Sequence, residues 1–351
     1  MRAVVMRGAN TLVVDDVPDP VPRANQILVR TLACGICGSD LHFLRCAEEI
    51  VELSRDLGPW GSLDLSRDII MGHEFSAEVV GVGSGTQTAL RPGDVVVSVP
   101  LMPADAASRG RTEPIGAYSN RWGGGFAELM LLSSLLAIRV PDGLDPRRAA
   151  LTEPMAVGVH AVRRSGIAAG EAAVVLGAGP VGLATVAALR RLGAEPIVAA
   201  DLSPARRALA LTMGAHEAVD PRTEPAVEAW RRLGGGRPLV IFEAVGVPGM
   251  LAQAIRDAPR HGRVLVVGAC LEQDTVRPFI AVAKELDVRF SFGYGPREFS
   301  DTLRAIAEGT FDVAPMITGE VGIDGVPAAF EALSTPGEHC KILVDPSRGR
   351  S

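Results

Sequence analysis

Lysine is nearly missing from the 351-residue sequence: it occurs only at Lys284 and Lys341, and arginine carries the rest of the positive charge. The 35 basic residues are outnumbered by 41 acidic ones and form no basic block, which excludes the phosphate-neutralising surface that a nucleic-acid partner requires. Aromatic residues amount to only 4%, and cysteine is confined to Cys34, Cys37, Cys46, Cys270 and Cys340. That odd, uneven set is unlike the even framework of a small secreted domain, so reduced thiols or metal ligands are expected. No apolar run approaches the roughly 18 to 20 uncharged residues of a membrane span, and the opening MRAVVMRGAN lacks the apolar core and cleavage site of a signal peptide. A soluble, cytoplasmic protein with no membrane partner is the expectation. Glycine (39) and proline (25), in contrast, are plentiful, which argues against a helical bundle and for many short elements joined by tight turns. The chain is long enough for two domains.

The texture changes along the chain. Strand-like stretches at 2–5, 12–15, 27–32, 77–82, 94–99 and 126–132, separated by Pro- and Gly-rich turns, predict a β-rich first region. From residue 172 the apolar runs AAVVLG, IVAAD, LVIFEAVG and RVLVVGA alternate with helical-period stretches at 181–192 and 204–213. Such alternation is that of βαβ units around a buried parallel sheet. After about residue 291 short mixed elements are expected again, and the closing KILVDP reads as a strand able to pair with the first region. The expected fold is α/β: a doubly wound parallel sheet, 154–293, inserted in a β-rich domain made of 1–153 and 294–351.

Gly177, Gly179 and Gly182 form GAGPVG between an apolar strand and a helix. Here the first glycine permits a tight turn, the second lets backbone approach a pyrophosphate, and the third lets helix pack on strand. Pro180 and Val181 open that helix and belong to the same cofactor loop. Asp201 ends the next apolar run, where a carboxylate accepts hydrogen bonds from a ribose diol and repels a 2′-phosphate. NAD is therefore favoured over NADP, a preference tempered by Arg206 and Arg207, whose guanidinium groups could hold a phosphate. Taken singly, each glycine could be an ordinary turn and Asp201 a helix cap.

A second constellation is Cys37 in CGICGSDLH, His73 and Glu74 in GHEF, and Glu153 in TEPMAV. One thiolate, one imidazole and one or two carboxylates make a sensible zinc set, and three protein ligands leave a fourth position open for catalysis. Asp40 is suited to orient His73 through a carboxylate–imidazole bond. Ser39 and His42 could pass a proton from a bound alcohol to solvent. Alone, each of these residues could be a satisfied core or surface group, and the Cys34/Cys37 spacing also admits a dithiol redox pair.

These motifs, together with GHEFSAEVVGVG, RPGDVV, GGGFAEL, TEPMAVGVHAVRRSG, VVLGAGPVGLA, IVAADLSPARR and KILVDP, resemble the zinc-dependent medium-chain dehydrogenase/reductase superfamily over nearly the whole chain. Within it, GHEFSAEVV and EPMAVGVHAVRRSG are most similar to the sorbitol and butanediol dehydrogenase branch. The resemblance implies a chaperonin-like (GroES-like) catalytic domain around a Rossmann domain, an active site between them, and catalytic roles for Cys37, Ser39, His42, His73 and Glu74. It implies that Cys37 and His73 bind zinc with either Glu74 or Glu153, that Val245, Gly246, Gly268 and Ala269 wall the nicotinamide, and that the protein is a homodimer or homotetramer. Relatives commonly carry four close cysteines for a structural zinc, whereas the corresponding segment here has none, so a single zinc is expected. The expected reaction is the reversible oxidation of a secondary alcohol or vicinal diol to a ketone. Its rivals are a metal-independent reductase of the same fold acting on an activated double bond or quinone, and a nucleotide-binding protein without turnover. Finally, Cys46, Ile50, Leu53 and Leu57 recur at helical spacing in an insertion at 46–66, which reads equally as a lid, with Trp60 lining the pocket, or as a helix packed on the outer domain.

Overall fold

The computed structural model describes residues 1–57, 63–103, 112–116, 119–335, 337 and 339–349. Six parallel strands form one sheet in the order Glu217–Val219, Ile197–Ala200, Ala172–Leu176, Leu239–Glu243, Arg263–Val266, Asp287–Phe290. Counted along the chain this is the doubly wound order 3-2-1-4-5-6 of a Rossmann sheet. Apolar groups pack on both faces. Leu183, Val186 and Leu189 of the helix Pro180–Leu192 cover one, and Val227 and Trp230 of the helix Ala226–Gly234 cover the other. This two-sided burial is why the central strands read as continuous apolar runs.

The β-rich region centres on the long strand Gln26–Gly35, which pairs antiparallel with Glu74–Val82, Leu129–Ser133 and Lys341–Val344. The closing strand thus returns to the first region as expected, with Leu343 opposite Gly35. Its core gathers Phe43, Met71, Phe75, Phe126 and Phe330.

Two details differ from expectation. The stretch at 126–132 becomes a strand only at Leu129, because Ala127 makes an isolated bridge to Ala3 instead. Beyond residue 291 the chain forms not only short elements but the twelve-residue helix Pro296–Ala307, whose Phe299, Leu303 and Ile306 recur on one buried face. The expected helix in the insertion is present as Ala47–Leu57, with Ala47 and Ile50 buried in the β-rich core; Trp60 lies outside the described residues. None of the described helices is long and apolar enough to cross a membrane.

Candidate metal and nucleotide site

Cys37 is the N-cap of the helix Gly38–Arg45, which carries Ser39, Asp40 and His42. The cap is tied locally: the Cys37 N–H donates to Asp40 Oδ2 at 2.9 Å. His73 immediately precedes the strand that begins at Glu74, and that strand's pairing of Glu74 with Gly35 brings both residues beside Cys37. One ligand atom from each of Cys37, His73 and Glu74 lies within 4.8 Å of the others. Asp40, fully buried, approaches His73 Nδ1 through Oδ1 at 3.3 Å, which leaves Nε2 as the ring nitrogen open to a metal. Burial alone would depress the His73 imidazole, but Asp40 and the Cys37 sulfur hold its pKa well above the ordinary value. Ser39 Oγ stands 3.4 Å from His73 Nε2.

Glu74 is 1% exposed, and one of its oxygens accepts from Lys341 Nζ at 2.5 Å. Lys341, fully buried, also donates to the Ile36 carbonyl at 2.8 Å. Burial works against its charge, yet Glu74 keeps its pKa raised. The other Glu74 oxygen, Oε1, is buried with no hydrogen-bond partner. An orphaned carboxylate oxygen beside a thiol and an imidazole costs free energy unless something electropositive meets it, and this donor set fits zinc. Gly35 makes the arrangement possible, because a Cβ there would collide with the Glu74 carboxylate.

Glu153, in the first turn of the helix Thr152–Ser165, lies where His73, Glu74, Lys341 and Tyr294 act on its charge, and burial pushes its pKa up to about 7. Cys34, by contrast, is buried between Gly72 and Gly125, outside the metal-binding group, and burial raises its pKa well above the usual thiol range. Such a thiol is a poor nucleophile, which speaks against the dithiol reading.

In the glycine loop, Gly177 adopts φ +91°, and a Cβ on Gly182 would strike the Gly177 carbonyl. Gly179 caps the helix opened by Pro180 and Val181, and its Cα faces open space, as a cradle for phosphate needs. Asp201 accepts from the Ala178 N–H and the Ser203 N–H, each at 2.8 Å, which fixes it beside the glycine loop. Arg206 reaches the His339 carbonyl at 3.3 Å, and Arg207 contacts Asp201 O, Leu202 O and Asp220, so both guanidinium groups are already engaged.

Val245 and Gly246 follow the strand Leu239–Glu243, and Gly268 and Ala269 follow the strand Arg263–Val266, at the carboxyl ends where such sheets bind ligands. Buried Glu243 ties the two loops: its carboxylate accepts from the Val245 and Gly246 N–H groups at 2.7 and 2.9 Å, and its carbonyl from Gly268 at 2.9 Å. The His42 ring lies beside the Ala269 backbone, which brings the metal-side helix near the nucleotide loops. Burial and Arg45 lower its pKa. Sequence reasoning missed Lys341, Tyr294 and Glu243 as site residues. The rarity of lysine was the one available signal for Lys341.

Comparison with known proteins agrees with this geometry. Residues 23–142 match the alcohol dehydrogenase GroES-like domain and residues 180–308 the zinc-binding dehydrogenase family. The chain is 33% identical to (R,R)-butanediol dehydrogenase of Bacillus subtilis, covering 99% of this chain and all of that one. It is 29% identical to the sorbitol dehydrogenase of the same organism, covering 99% and 98%. Among solved structures, 2R,3R-butanediol dehydrogenase of B. subtilis superposes with a TM-score of 0.82 at 32% identity, covering 98% and 99%. A Sinorhizobium meliloti protein described as a zinc-binding dehydrogenase, solved with NADP, gives 0.82 at 30% identity, covering 98% and 99%. The chain belongs to the zinc-dependent medium-chain dehydrogenase/reductase family. It is an enzyme of the alcohol dehydrogenase type, using zinc and a nicotinamide cofactor.

Proposed function

We propose that this enzyme reversibly oxidises a secondary alcohol or vicinal diol to a ketone, with one zinc per chain and NAD as the acceptor. The observation that carries the reading is the unpartnered Glu74 oxygen set among Cys37 and His73. Cys37, His73 and Glu74 hold the metal; Asp40 orients His73, and Lys341 balances the charge of Glu74. When bound, zinc supplies a Lewis acid that acidifies the substrate hydroxyl, and the nicotinamide takes the hydride. Ser39 and His42, on one helix between the metal set and Ala269, carry the released proton toward solvent, a contribution of roughly 10²–10⁴-fold for general acid–base catalysis. Asp201, fixed by Ala178 and Ser203, favours the unphosphorylated ribose, and the engagement of Arg206 and Arg207 leaves them poorly free to grip a 2′-phosphate.

The catalytic domain we assign to 1–153 and 294–351, and the nucleotide-binding domain to 154–293. A reducing compartment, the cytoplasm, suits five free cysteines. For assembly we favour a homodimer, or a tetramer built from it, through the nucleotide-binding domains. The strand Asp287–Phe290 ends its sheet, and Phe279, Val282 and Phe290 beside that edge are exposed at 78%, 67% and 61%.

The test is an alcohol panel followed by NADH absorbance, including polyols, butanediols and bulky cyclic secondary alcohols. The expected outcome is turnover of a secondary alcohol or diol with a higher kcat/KM for NAD than for NADP. Turnover confined to quinones or activated double bonds would overturn the reading, and a clear NADP preference would overturn the role of Asp201.

A further inference from the structure

The loop that carries Asp201 runs into the helix Pro204–Thr212, whose N-cap is Ser203. Two side chains of this region bond to the chain just ahead of the closing strand Lys341–Val344. Ser203 Oγ donates to the Gly337 carbonyl at 2.7 Å, and the Arg206 guanidinium donates to the His339 carbonyl through Nε and Nη2, each at 3.3 Å. Thr318, of the strand Ile317–Val321, holds the next two residues: its Oγ1 accepts from the Cys340 and Lys341 N–H groups at 2.8 and 3.2 Å. Cys340, 2% exposed, lies where Asp201, Arg206, Glu74 and Lys341 all act on its charge. Lys341 Nζ then donates to Glu74 Oε2 at 2.5 Å, which leaves Oε1 as the bare oxygen beside Cys37 and His73. The stretch 337–341 thus joins the nucleotide loop to the metal set.

Lys341 opens its strand, and pairing with Gln26–Gly35 begins only at Leu343. A lysine ammonium ends a flexible four-carbon stem, so the place where it comes to rest follows from where its backbone is pinned. Because Glu74 has one oxygen neutralised and the other unpartnered, a shift of the ammonium turns the carboxylate with it. We propose that Arg206 is a positioning residue of the metal site and not a ligand of a cofactor phosphate: with Ser203 it pins 337–341, so that Lys341 meets one Glu74 oxygen and the other is left for the metal. This inference rests on the zinc dehydrogenase reading above. Groups that hold a metal ligand without touching the ion typically set its affinity by about 10–100-fold.

The test measures zinc affinity by chelator competition, and NADH and NADPH affinities by fluorescence titration, on the full chain as wild type, Arg206→Met, Arg206→Lys and Ser203→Ala. Methionine keeps an unbranched stem without donors, and lysine keeps a donor able to meet a carbonyl. Arg206→Met is expected to lose about tenfold in zinc affinity. Arg206→Lys should stay within about threefold of wild type, a rescue that general loosening of the helix would not produce. The ratio of NADPH to NADH affinity in Arg206→Met should stay within about twofold of wild type, because the guanidinium is not holding a phosphate. Ser203→Ala, which releases Gly337 alone, is expected to lose zinc affinity as well. Wild-type zinc affinity in Arg206→Met overturns the inference, as do equal losses in Arg206→Met and Arg206→Lys, or a loss confined to NADPH. If Arg206→Met does not fold, Ser203→Ala decides alone, and unchanged zinc affinity there overturns the inference. All these results leave the proposed function standing, whereas a wild-type protein that takes up no zinc removes the function and the inference together.

Discussion

Lys341 is one of only two lysines in the chain and its side chain is fully buried against Glu74. Removing one partner of a buried ion pair strands the other, at a cost of about 3–5 kcal/mol. Lys341→Met is therefore expected to lose about that much stability in the metal-stripped protein and clearly less when zinc is loaded, because the cation then offsets the stranded carboxylate. Urea unfolding with and without chelator measures both, and equal losses in the two states would contradict a zinc-facing Glu74. Gly35→Ala is expected to weaken zinc binding by displacing the same carboxylate, read as zinc affinity in a chelator competition. Cys37, His73 and Glu74 were legible because thiol, imidazole and carboxylate in those motifs have few other joint uses. Lys341 and Tyr294 were not, since a lone lysine and a lone tyrosine reach the site only through strand pairing and a link far along the chain. The choice between Glu74 and Glu153 was likewise not legible, as both occur in motifs of equal strength.

The helix Thr152–Ser165 ends on Gly166 in the left-handed region and packs on Pro180–Leu192 at a glycine: a Cβ at Gly158 would lie 2.5 Å from the Ala184 carbonyl carbon. One helix thereby supports both the glycine loop and Glu153. Gly158→Val is expected to cost at least about 1–3 kcal/mol by overpacking. It should also weaken NADH binding, measured by fluorescence titration; an unchanged Tm and affinity would show that the helices tolerate separation. Elements of this region were legible from period and caps, because buried parallel strands read as unbroken apolar runs and Pro180 and Pro204 open their helices. The helix Pro296–Ala307 was less so. Its apolar residues are spaced among Arg297, Glu298, Asp301 and Arg304, and they acquire meaning only against the helix they cover.

The whole molecule is held as one unit by returns of the chain. Lys341–Val344 closes the β-rich sheet on Gln26–Gly35, and Arg206 of the nucleotide-binding domain reaches the His339 carbonyl just before that strand. The two-domain plan with an inserted Rossmann sheet was visible in the change of texture near residue 172. The identity of the partners across the first sheet was not, because short antiparallel strands carry little register information before their neighbours are known. On the outer edge, a second copy aligned antiparallel about Val288 would set Asp287 of one chain opposite Arg289 of the other. Phe290→Asp is expected to shift the protein toward monomer in sedimentation velocity without loss of the fold; an unchanged oligomer would exclude this edge as the interface.

The central claim is that a metal held by Cys37, His73 and Glu74 drives alcohol oxidation beside the nicotinamide. The most direct measurement is zinc content and NADH formation on the same preparations of wild type and Cys37→Ser, with cofactor binding checked in both. The account predicts about one zinc per chain and turnover in wild type, with both lost in Cys37→Ser while NADH still binds. Full turnover in a zinc-free preparation, or in Cys37→Ser, would contradict it.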